Sequence, residues 1–130
     1  MTEELWIAVY AAVLGIVMVH LPPLAAMSRK GYMQWNAGPR DTPFDVGPQS
    51  DRLKRAFSNF METYVFFLVF VVALAFLHKS SPLSVYGAWA YLGARIVYIP
   101  LYAFGVVGIR SLVWFIALLG IAACALQLFI

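Results

Sequence analysis

The chain has 130 residues, 63% of them hydrophobic and only 12% charged. A soluble domain carries about a quarter charged residues, so this composition excludes a soluble catalytic domain and leaves one domain, residues 1–130, with room for about four membrane-spanning helices of ~20 residues. The net charge of +3 gives no reason to expect nucleic-acid binding, because the basic residues gather where orientation in a bilayer accounts for them.

The chain opens with Thr2-Glu3-Glu4, and the apolar run that follows is longer than a signal-peptide core and lacks an Ala-x-Ala-like cleavage site, so the first helix is expected to remain as an anchor. Long apolar runs between helix breakers predict four helices, at about 5–27, 50–77, 83–107 and 111–130. Pro22-Pro23 and Pro100 should kink the first and third, since each proline removes a backbone donor. His20, beside the proline pair, reads as a structural residue. A small four-helix drug exporter needs a titratable carboxylate in the first span, and this one offers only His20 in its place, which argues against that class. The second and third links, His78 to Pro82 and Gly105 to Gly108, are tight, so neighbouring helices should run antiparallel. Cys124 lies within an apolar run and has no partner for a disulfide.

Charge sets the orientation. The first link holds Arg29, Lys30, Arg40, Arg52, Lys54 and Arg55, six of the nine Lys and Arg residues; it and the third link should face the cytoplasm, with both termini on the other side.

Two polar stripes interrupt the apolar helices. Arg55, Asn59 and Glu62 fall at i, i+4 and i+7, on one face of the second helix, and Arg95, Tyr98 and Tyr102 at i, i+3 and i+7, on one face of the third. Ionisable groups at such depth are costly unless paired, and by default they mark a functional site. Glu62 is read as the only carboxylate inside a span, so Arg95 or Arg55 should pair with it or with a ligand's negative charge. Arg110 and Ser111 lie in the third link at the same level, so three segments converge where a small anion could be bound and its acid group ionised. The structural alternative has Asp51 as N-cap, Arg55 snorkelling, Asn59 bonding between helices and the tyrosines in an interfacial belt.

At these residues the sequence resembles the membrane-associated proteins in eicosanoid and glutathione metabolism. The family's second-helix signature, Arg-Ala-x-x-Asn-x-x-Glu, is met by Arg55, Ala56, Asn59 and Glu62; Arg95, Tyr98 and Tyr102 meet the third-helix pattern, and Ile109-Arg110-Ser111 matches the segment before the fourth helix. The resemblance implies an all-α, left-handed four-helix bundle with antiparallel neighbours, assembled as a homotrimer in a bacterial inner membrane. It also implies glutathione as co-substrate, bound at subunit interfaces near the cytoplasmic face and used on lipophilic electrophiles or hydroperoxides, with no metal. Arg55, Asn59, Glu62, Arg95, Tyr98 and Tyr102 would then hold the tripeptide, with Arg110 or Ser111 nearest its sulfur. The pattern departs at Ser58, where some members have a further Arg, at Phe66, which replaces a proline, and at Trp114, which replaces a tyrosine. A non-catalytic trimeric membrane subunit that keeps the fold is the competing expectation.

Overall fold

The computed structural model describes residues 1–130 and is entirely helical: α1 Glu3–Ala26, α2 Tyr32–Ala37, α3 Pro48–Phe76, α4 Pro82–Ala103 and α5 Ile109–Phe129. Four of these are long, as expected, and their ends are set by identifiable groups. Thr2 caps α1 by accepting from the Leu5 amide at 3.3 Å. Ser81 and Ser84 form a reciprocal capping box at the start of α4, with Pro82 at the first helical position, where a missing N–H costs nothing. For α3 the first position is Pro48 and the cap is Gly47, at φ +91°; Asp51 lies one turn inside, so the expectation of an Asp51 cap is corrected. The positive φ favours glycine at 47, and a Cβ there would also have to displace the Arg29 guanidinium 2.6 Å away, which is itself paired with Asp45 at 3.5 Å.

Two helices end in Schellman turns. At α3, the amides of Lys79 and His78 bond to the carbonyls of Leu74 and Ala75, with His78 at φ +56°. At α4, the amides of Val106 and Gly105 bond to Leu101 and Tyr102, with Gly105 at φ +70°. The second turn stops α4 at Ala103, four residues short of the expected 107. Pro22-Pro23 does not end α1, which runs on to Ala26 with the Pro22 carbonyl accepting from Ser50 Oγ at 2.8 Å.

The first link is more ordered than its sequence suggested. The six-residue α2 is too short to show a periodicity, and three rings hold it: Tyr32, Trp35 and Phe44 pack with centroids 5.5 to 6.0 Å apart, while Trp35 Nε1 donates to the Thr42 carbonyl at 2.6 Å.

In the packing, α1 lies against α3 and α4, α5 lies against α4 and α3, and α3 also touches α4. Tyr64 on α3 donates to the Ala8 carbonyl of α1 at 2.8 Å, and a ring stack of Phe67 on Tyr91 at 4.3 Å fills the centre. The α4–α5 contact is backbone-close: a Cβ on Gly87 would lie 2.7 Å from Ala123 Cβ, and one on Gly120 would lie 2.8 Å from the Tyr91 nitrogen. Small residues that admit such an approach are how helices associate without a hydrophobic driving force.

Outside, the chain is apolar. Val13, Ile16, Phe66, Val69, Leu112 and Leu119 are each more than half exposed, which suits lipid and not water. By length and composition α1, α3 and α5 can each cross a membrane, with mean hydropathies of 2.1, 1.9 and 2.4. The expected third span, α4, is long enough at 22 residues but less apolar than the other three, since it carries Ser84, Arg95 and the tyrosines 86, 91, 98 and 102. Much of that polarity is turned inward: Ser84, Tyr91, Arg95 and Tyr98 are all buried.

A second correction concerns Glu4. It lies in the first turn of α1 beside Glu3 and is wholly buried, so Glu62, itself exposed, is not the only carboxylate within the long helices. Its oxygens accept from Ser80 Oγ at 2.7 and 2.8 Å and from Ser84 Oγ, which fastens the start of α1 to the α3–α4 link. Cys124 is a buried free thiol donating weakly to the Ser84 carbonyl. His20 bonds through Nδ1 to its own helix at the Ile16 carbonyl, 2.7 Å away, in keeping with its structural reading.

Candidate functional site

The starts of α3 and α5 and the end of α4 meet at one end of the molecule. The tie is visible in Arg52, whose Nη1 donates to the Ala103 carbonyl at the end of α4 and whose guanidinium lies 3.3 Å from where a Gly105 Cβ would stand. That closeness, with the Schellman turn, sets the short link that delivers Arg110 back to the bundle.

Between the three helices lies a cleft of about 670 Å³, lined by Arg55, Ser58, Asn59 and Glu62 from α3, Tyr98 and Tyr102 from α4, and Arg110, Ser111, Trp114 and Phe115 from α5. Seven of the eight residues singled out in the sequence line it. The helical periodicity of each stripe does this: 55, 59 and 62 share a face, 98 and 102 are one turn apart, and 111, 114 and 115 follow from Ser111 on α5. Phe115 was not singled out, although its i+4 spacing from Ser111 was the available signal. Of the departures from the family pattern, Ser58 and Trp114 stand in the wall while Phe66 faces outward, 59% exposed.

Arg95 is the exception. It is wholly buried and stands behind the cleft wall, where its Nη1 donates to Asn59 Oδ1 at 2.9 Å while its Nε and Nη2 have no partner. Within the chain neither Arg95 nor Arg55 pairs with Glu62, the one ion pair being Arg29–Asp45 in the first link; of the two expected partners, that leaves a ligand's negative charge. Aromatic faces line the three cations instead. The Arg95 guanidinium lies 4.5 Å from the Tyr98 ring centroid and 5.7 Å from that of Phe60, Arg110 lies 4.7 Å from Tyr102, and Arg55 lies 6.0 Å from the same ring. Contacts at these distances offset part of the desolvation of a cation.

The cleft therefore presents two guanidiniums, Arg55 and Arg110, that form no ion pair within the chain, together with one carboxylate, an amide and two serine hydroxyls. Because Asn59 Oδ1 is engaged by Arg95, the NH₂ of that amide is left as the group free to donate. Such a donor set suits a small anionic ligand that also carries an amine, the guanidiniums taking carboxylate or thiolate and Glu62 the ammonium. No group of three or more His, Cys, Asp or Glu residues capable of holding a metal ion is present.

Apolar outer helix faces beside an open cationic cleft, in which Arg55 and Glu62 are exposed, define an integral membrane protein with a polar site between helices. It belongs to the MAPEG family, whose model matches residues 7–130, nearly the whole chain. No curated protein and no solved structure matches the chain.

Proposed function

We propose that this protein is a membrane-bound glutathione transferase or peroxidase, acting on lipophilic electrophiles or hydroperoxides as a homotrimer of four-helix subunits. The observation that carries the reading is the cleft itself, where Arg55 and Arg110 stand without carboxylate partners beside Glu62, Asn59 and Ser111. Family membership supports a glutathione-related activity of this class.

In this reading Arg55 and the Asn59 amide hold the tripeptide's carboxylates, and Glu62 holds its amine. Arg110, at the start of α5, lies nearest the sulfur, where positive charge favours the thiolate over the thiol and releases the proton to solvent. In conjugation the sulfur lone pair then forms the C–S bond, and the displaced pair departs with the leaving group or, in an addition, moves from the broken π bond to the far atom, which takes a proton from solvent. Trp114 and Phe115, with Phe115 half-exposed on the outer surface, form the lip through which an apolar substrate reaches the sulfur from the bilayer. The basic end of the molecule would face the cytoplasm, with both termini opposite.

Calorimetry and ultraviolet absorbance of the purified protein with glutathione provide the test. Binding with a thiolate band is expected, and Arg110→Ala should lose the band while keeping its assembly state and melting temperature. An absence of binding at millimolar glutathione would sink the proposal.

A second reading, a non-catalytic trimeric subunit, draws on the bond that commits Asn59 to buried Arg95. In that case Glu62→Gln disrupts assembly; under the first reading the same variant assembles and binds glutathione poorly.

A further inference from the structure

Three guanidiniums, Arg55, Arg95 and Arg110, gather around one cleft wall with Glu62 as the only carboxylate lining the cleft, and no ion pair restrains any of them. Long cationic side chains in that setting should repel one another and disperse. They are instead found over two rings. Tyr98 and Tyr102 sit one helical turn apart on α4 with centroids 5.5 Å apart and planes inclined at 50°. Buried Arg95 lies over Tyr98 at 4.5 Å, Arg110 over Tyr102 at 4.7 Å, and Arg55 at 6.0 Å from Tyr102.

From this we propose that Tyr98 and Tyr102 are positioning residues that act through their ring faces. Together they form a ladder that organises the cations of α3, α4 and α5, with Tyr102 as the shared platform that aims Arg110 and Arg55 into the cleft. The inference rests on the thiol-binding reading above but assigns the tyrosines a different part from that implied by the family resemblance, in which they hold the ligand directly. An aromatic face attracts a guanidinium electrostatically and gains strength where water is excluded. The arrangement also solves a topological problem: Arg110 arrives from a five-residue link beyond α4 and Arg55 from another helix, yet both are referred to one rigid ring with few rotamers. Tyr98 does the same one turn deeper, where Arg95 in turn holds the Asn59 amide at 2.9 Å.

The ring and hydroxyl contributions separate by substitution. Tyr102→Phe keeps the face and removes the hydroxyl, whereas Tyr102→Leu removes the face. Glutathione affinity should stay within about threefold of the parent for Tyr102→Phe and fall about tenfold for Tyr102→Leu, equivalent to ~1.4 kcal/mol for two lost cation–ring contacts. The thiolate band should survive in the first variant and shrink in the second. Equal impairment of both would assign the effect to the hydroxyl and overturn the proposal, as would a Leu variant that behaves like the parent. If Tyr102→Leu does not fold, pentafluorophenylalanine at 102 keeps the shape and reverses the ring's electrostatics; affinity lost there but retained with phenylalanine supports the ladder, and equal affinity overturns it. A readout that needs no thiol separates this inference from the functional reading: phenylglyoxal modification of Arg55 and Arg110, mapped by mass spectrometry. Release from the ring should make both react faster in the Leu variant than in Tyr102→Phe, whether or not the protein binds glutathione, and equal rates overturn the inference.

Discussion

Glu4 shows how a residue's surroundings can reverse its meaning. As part of an acidic N-terminus it is a solvated charge; in the fold it is wholly buried and accepts hydrogen bonds from Ser80 and Ser84. Removing one partner of a buried polar group leaves the others unsatisfied, at about 1–3 kcal/mol. Glu4→Ala should therefore lower the stability of the detergent-solubilised protein by that order in chemical or thermal unfolding, while the glutathione affinity proposed for the cleft at the opposite end stays at its parental value. A Glu4→Ala protein that unfolds like the parent would show that the serines do not depend on it. Arg95 carries a related lesson. Its periodicity put it on the same stripe as Tyr98 and Tyr102, and its stripe neighbours do line the cleft, but a helix face is broad, and Arg95 falls on the side of it that packs against Asn59 and Phe60.

At the scale of elements, the helices meet through glycines whose need for smallness is measurable. Gly120 faces the backbone of α4, so a methyl at 120 would meet backbone atoms that cannot rotate away. Gly93, on the exposed side of α4, has nothing within 4 Å of its would-be Cβ. Alanine improves helix propensity by about 1 kcal/mol at either position, but overpacking at 120 costs about 1–3 kcal/mol, and separation of α4 from α5 would disturb the link that carries Arg110. The expected order of melting temperatures is Gly93→Ala at or above the parent and Gly120→Ala below it. Equal values for the two variants would mean that α5 accommodates the methyl by sliding. The short α2 belongs to this scale as well: six residues cannot register a helical period, and only the cluster of Tyr32, Trp35 and Phe44 gives that segment a reason to fold.

For the whole molecule, the two ends are chemically distinct. One gathers the termini and the α3–α4 link, joined by Glu4 to Ser80 and by Lys79 Nζ to the Leu128 carbonyl at 2.7 Å; the other gathers α2, the starts of α3 and α5, and most of the Lys and Arg residues. Under the positive-inside rule the orientation proposed above has the basic end in the cytoplasm. Cysteine labelling in intact cells checks this, because buried Cys124 should be silent towards a membrane-impermeant maleimide. A cysteine at Gly38 should be protected from outside and one at Ser81 labelled; the reverse pattern would invert the topology and place the cleft on the outer face.

The residues alone determined that the chain lives in a membrane, that it folds as long helices, and which side chains form the two polar stripes, because apolar run length and a 3.6-residue period are local properties that survive any packing. They also placed Arg110 and Ser111 level with those stripes, since short links leave a returning helix little freedom. Only the tertiary structure decided which stripe members reach the cleft. It turned Arg95 inward onto Asn59 and Tyr98, supplied Trp114 and Phe115 as a wall, buried Glu4 under two serines, and set the three cations against aromatic rings. Those outcomes depend on the rotation of each helix about its own axis. Packing fixes that rotation through contacts such as Gly87 against Gly120 and Phe67 against Tyr91, which join residues far apart in the chain and leave no mark in its local pattern.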